Sequence, residues 1–232
     1  MSRSAHVIAL DTVHDELVVG NPFAEAILFF RGGANGEEAP IRVIQGPKTM
    51  LGYVDSVAVD PIHNEVFALQ KRKNAIFVFD REARGDVEPK RIIHGPKTGI
   101  NSARNVAVDP INNILAVGNR GAQNVLIFNR TDEGNVAPRA ILGGPKTGMK
   151  VHTVQLDPKA KNILVPSGRD DVGFIRVWKY GDNGEDVPPR ILVKGIVTAG
   201  PIELIPETKE LWIVGAKQPT FLHLYHLPEL FE

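Results

Sequence analysis

The chain has 232 residues, 43% of them apolar, which is enough for a sizeable core in one large domain or two small ones. Lys and Arg number 27 and Asp and Glu number 27, so the net charge is zero, which sets aside a globally basic nucleic-acid binder but not a local charged patch. Cysteine is absent, which excludes a disulfide framework, a thiolate metal site and a cysteine nucleophile.

From the N-terminus, Met1 to His6 carry no apolar signal-peptide core, and the longest apolar runs, such as Ile27 to Phe30, fall far below the ~18 residues needed to cross a bilayer. No membrane role is expected. The compartment stays open: cytoplasmic, or exported if a leader has been removed.

A repeat begins at Ile8 with IALDTVHDELVVGN. It returns as VAVDPIHNEVFALQ at Val57, VAVDPINNILAVGN at Val106, VQLDPKAKNILVPS at Val154 and IELIPETKELWIVG at Ile202, at intervals of 49, 49, 48 and 48 residues. Other landmarks keep the same pace: the aromatics Phe30, Phe79, Phe128, Trp178 and Tyr225; the pairs Gly36/Pro40, Gly85/Pro89, Gly134/Pro138 and Gly184/Pro188; and GPKT at Gly46, Gly95 and Gly144. Self-similarity at a fixed period marks a repeat architecture.

The second copy shows the elements in order. Strand A is short and apolar, Val57 to Val59, and the turn Asp60-Pro61-Ile62-His63-Asn64 follows. Pro pre-sets φ for a type I turn and Asp caps the next amides. Strand B, Val66 to Leu69, and strand C, Ile76 to Phe79, are rich in β-branched and aromatic residues. A polar hairpin, Asp80 to Pro89, needs positive φ at Gly85 and leads to strand D at Arg91 to Ile93. Nearly continuous apolar runs fit strands covered on both faces. The expected fold is therefore all-β: one β-propeller domain over residues 1–232, built of four-stranded blades. The fifth copy stops after strand C, Leu222 to Tyr225, so the reading is five blades with an incomplete last one; the other is a piece of a longer propeller.

The VAVDP block, the strand ending in Phe, and the G-x-x-x-P hairpin followed by R-I-I-x-G-P-x-T-G resemble bacterial NHL-type propeller repeats over essentially the whole chain. The resemblance implies that D–A and B–C loops share one face, around the mouth of a central channel, and that A–B and C–D loops share the other. It says little about function, since such propellers host binding modules, scaffolds, lyases and lactonase-like enzymes.

Where copies agree, the fold dictates the residue; where they differ, function has room. The recurring Asp11, Asp60, Asp109 and Asp157 read as turn caps rather than a cation ring, and Lys48, Lys97 and Lys146 as copied, solvated loop residues. Just before strand A the copies diverge to His6, Asp55, Arg104, His152 and Gly200. Of these, His6, Asp55, Arg104 and His152 form the expected ligand site at the channel mouth, with Arg104 as anion anchor and the histidines as proton-exchanging groups. Gln70 and Asn119, at the ends of strand B, are expected to orient the ligand, and Gln155 and Glu203, inside strand A, to line the channel or pair. No cofactor is expected, and Arg104 disfavours a channel metal. Lys71, Arg72, Lys73, Arg120, Arg169 and Lys217 make the same face basic, but Phe23 and Tyr53 are few aromatics for base stacking, so nucleic acid is not an expected partner.

No Ser–His–Asp spacing, HExxH or EF-hand loop occurs. The expectation is a non-enzymatic module for a protein partner or small anionic ligand, with self-association through the last-blade edge. The alternative is a small lactonase- or lyase-like enzyme acting at the channel mouth.

Overall fold

The recurring Asp closes the first strand of each of four units. Asp11 Oδ1 accepts from the amides of Val13 and His14, and Asp109 Oδ1 from Ile111 and Asn112, at 2.9–3.1 Å. Asp60 and Asp157 cap their turns in the same way. A residue of positive φ then ends each turn: Asp15, Asn64, Asn113, Lys161 and, in the fifth unit, Lys209. Asn and Asp tolerate that conformation best.

These turns organise the chain into five antiparallel sheets in a computed structural model that describes residues 8–169, 172–196, 202–214 and 221–231. Blade 1 is β1 (Ile8–Asp11), β2 (Glu16–Asn21), β3 (Ala26–Arg31) and β4 (Arg42–Ile44). Blade 2 is β5 (Val54–Asp60), β6 (Glu65–Gln70), β7 (Ala75–Asp80) and β8 (Arg91–Ile93). Blade 3 is β9 (Asn105–Asp109), β10 (Ile114–Asn119), β11 (Asn124–Asn129) and β12 (Ala140–Gly143). Blade 4 is β13 (Gln155–Asp157), β14 (Asn162–Arg169), β15 (Val172–Lys179) and β17 (Ile191–Ile196). Among the described residues blade 5 has three strands, β18 (Ile202–Ile205), β19 (Glu210–Val214) and β20 (Leu222–His226). The fold is an all-β propeller of five blades, and no helix of the described residues is long and apolar enough to cross a membrane.

Two details depart from the sequence expectation. The innermost strand of blade 2 starts at Val54 rather than Val57, and a register shift between Val54 and Ser56 sets Asp55 out of the ladder. The C–D hairpin is more than a connection. Gly85 bridges in parallel to Ile44, Gly134 to Ile93, and β16 (Gly184–Glu185) adds to β12 as a fifth strand of the blade 3 sheet. Each hairpin thus clasps the outer strand of the preceding blade. The GPKT turns complete the clasp: the amides of Lys48, Lys97 and Lys146 donate to Asp86, Asn135 and Asp186 of the next blade at 2.6–2.8 Å. Gly85 and Gly134 hold φ of 69° and 73°, the left-handed region where a Cβ is costly.

Apolar clusters fill the four seams between consecutive blades. Phe79, Phe128 and Trp178 are fully buried there, so the strand-C aromatics are core. Polar ties cross the same seams. Glu16 holds Arg42 of its own blade and Arg81 of the next at 2.6–2.7 Å. Glu65 repeats the arrangement with Arg91 and Arg130. Where Ile114 replaces the glutamate, Tyr180 donates instead to Asp109 at 2.8 Å. Asn162 ties blade 4 to the carbonyl of Leu230, in the C-terminal turn.

Candidate functional site

The B–C and D–A loops of blades 2 and 3 meet on one face, the arrangement that the resemblance to NHL-type repeats implies. Between blades 2 and 3 they enclose a hollow of about 400 Å³ lined by Tyr53, Asp55, Lys71, Arg72, Asn74, Ser102 and Arg104. The bulge in β5 turns the buried Asp55 toward Arg104, whose Nε lies 3.8 Å from Asp55 Oδ2. The Arg72 guanidinium sits over the Tyr53 ring at 5.0 Å, and Phe23 meets that ring edge-on at 6.2 Å. Asn74 and Ser102, both at positive φ, close the wall: the Ser102 amide donates to Asn74 Oδ1 at 2.9 Å. Of the described residues, three cationic side chains and one carboxylate face this space.

The predicted site residues do not gather in one place. Asp55 and Arg104 come together. His152 lines a second hollow, about 610 Å³, with Lys150, Ser167, Phe174 and Arg176. There Arg176 donates to Ser167 and lies 5.1 Å from the centre of the Phe174 ring; burial lowers its pKa. Gln155 and Glu203 line a third space, the central channel of about 210 Å³, between Ala9, Ala58 and Ala107. Gln155 and Glu203 make no hydrogen bond to each other, and partial loss of hydration at the channel wall raises the pKa of Glu203, whose side chain is exposed within the channel. Gln70 and Asn119 are fully buried loop staples: Gln70 donates to the Met50 carbonyl at 2.9 Å, and Asn119 donates to Gly99 and accepts from Asn101. His6 and Gly200 lie outside the described residues.

The repeat pattern did not single out Asn74, Ser102 or Arg176. Arg176 carried a legible signal, since it stands where other copies have Leu28, Phe77 and Leu126. Asn74 and Ser102 carried none, because their place depends on left-handed backbone in two different blades. Among the described residues no group of three His, Asp or Glu side chains converges as a metal site.

No family model matches the chain, and no curated protein does. Among solved structures it is similar to a chain of the hydrazine synthase of Kuenenia stuttgartiensis, with a TM-score of 0.64 and 9% identity. The likeness covers 90% of this chain and 55% of that one, so this chain spans about half its length. At that identity the likeness shows the propeller fold alone.

Proposed function

We infer that the protein is a non-enzymatic binding module whose hollow between blades 2 and 3 takes a small ligand bearing carboxylate or phosphate groups. One observation carries this reading: among the described residues Lys71, Arg72 and Arg104 share a concave site, walled by Tyr53, with one carboxylate, Asp55. Arg104 is offset from Asp55, at 3.8 Å, so its planar fork keeps donors for an incoming anion. Among the described residues that line this hollow there is no histidine, which favours binding over acid–base turnover there. The residues that diverge between copies just before strand A, Asp55 and Arg104, lie in this hollow, which supports a binding role there.

The test is calorimetric titration of the protein with citrate and with inorganic pyrophosphate at low salt. One-to-one binding of at least one probe is expected, lost in Arg104→Ala and Arg72→Ala while the melting temperature stays unchanged. Absence of binding by both probes, or binding that survives both substitutions, overturns the assignment.

A further inference from the structure

We propose that the outer edge of blade 5 is a docking site for an extended segment of a partner protein carrying Arg followed by two aliphatic residues. The segment adds antiparallel to β20 and seats its arginine on Glu210. This surface is separate from the anion hollow and does not depend on it.

Blades 1 and 2 show what the edge is built to hold. In each, the strand after C begins Arg-aliphatic-aliphatic: Arg42-Val43-Ile44 and Arg91-Ile92-Ile93. Each arginine forms a two-pronged bond to the glutamate that opens strand B, Glu16 or Glu65, at 2.6–2.7 Å. Glu210 opens strand B of blade 5, yet its blade has no fourth strand among the described residues. Its carboxylate instead accepts a long 3.3 Å bond from the Trp212 indole.

The backbone repeats the pattern. The carbonyls of Phe29, Val78, Ile127 and Val177 accept from the residue leading into the fourth strand, at 2.7–2.8 Å. Leu224 occupies their register position, and no such bond reaches it among the described residues. Leu222 and Leu224 are 58% and 53% exposed; their counterparts Ile27 and Phe29 are buried by the following blade, so on blade 5 the face beside the open edge is uncovered as well. An open strand edge with apolar side chains beside it recruits another strand.

The hairpin that should clasp the far side of such a strand is also present. Gly36 has φ of 63°, matching Gly85 and Gly134. Gly85 donates to Val43 and accepts from Gln45, and Gly134 does the same with Ile92 and His94, at 2.7–3.0 Å. Gly36 makes neither bond, and Glu37, which aligns with the capping Asp86, caps no amide among the described residues. The occupant must therefore supply one strand, an arginine for Glu210 and two aliphatic side chains for the Leu222–Leu224 row.

The probe is a synthetic peptide with the sequence of residues 89–99, which contains β8 and its flanks, added to the intact protein. Calorimetry and amide exchange read the result. Expected are one-to-one binding, slowed exchange at Leu222–His226, and a loss of affinity of about tenfold or more for Glu210→Gln and for a peptide with Arg replaced by Ala. The peptide variant leaves the protein untouched, so the arginine requirement is read without any risk to folding. No binding, or binding that neither protects β20 nor needs the arginine, overturns the proposal. So does slow exchange of β20 in the peptide-free monomer, which means the chain covers its own edge. Slow exchange with a doubled mass overturns it in favour of a second copy.

Discussion

Glu65 accepts hydrogen bonds from Arg91 and Arg130 and lies 3.4 Å from the Lys90 ammonium. Burial opposes its ionisation, but the hydrogen bonds and charge of Arg91, joined by Lys90 and Arg130, outweigh that and hold the pKa down, at about 2. Glu16 is lowered by the same chemistry from Arg42 and Arg81. A carboxyl with a depressed folded-state pKa stabilises the fold above its ordinary value and loses that contribution as pH falls through the folded value. Stability to urea should therefore decline from the ordinary pKa of 4.5 down to about 2. Glu65→Gln should cost about 3–5 kcal/mol at pH 7, because two arginines lose a buried partner, and should flatten that decline. An unchanged pH profile in the variant would remove Glu65 from the explanation.

At the scale of the element, the unit is a strand whose neighbours lie on both sides of the sheet. Phe128, on β11, is fully buried in the cluster between blades 2 and 3, with Phe67, Leu69, Ile76 and Leu115. Truncation to Ala leaves a cavity that these rigid strands cannot collapse around, and should cost about 3–5 kcal/mol in chemical denaturation. A near-native stability of Phe128→Ala would contradict the packing of β11 described above. The clasp hairpins act at the same scale: they convert a loop of one blade into an edge partner of its neighbour, covering strand edges that would otherwise invite aggregation.

Over the whole molecule, the ring has four well-filled seams, and no apolar cluster of the described residues spans blades 5 and 1. Its axis is a narrow channel into which Glu203 projects beside Gln155. The channel walls strip hydration from the Glu203 carboxylate and raise its pKa, although the side chain stays exposed within the channel, so its charged form disfavours the folded state at pH values above the ordinary carboxylate range. Glu203→Gln should then melt at a higher temperature than the parent at pH 7, and the gain should vanish at pH below the ordinary carboxylate value. A loss of stability at pH 7 would instead mean that the carboxylate holds the axis together.

Much of this architecture was legible in the amino-acid order. The turn Asp, the strand-C aromatics and the positive-φ hairpin glycine each answer a local demand of backbone or packing, and the copies state that demand at the same pitch. The departures between copies were legible too: Asp55 and Arg104 stand out when the repeats are aligned, and they share a hollow. What the order could not express is which departures meet. His152 occupies the same repeat position as Asp55 and Arg104 yet lines a different hollow, and Gln70 and Asn119 turn inward to hold loops. Those outcomes depend on the bulge in β5, on left-handed residues in separate blades and on the fan of the blades about the axis. A repeat conveys what each blade must be; only the packed ring sets the distance between one blade's loop and the next.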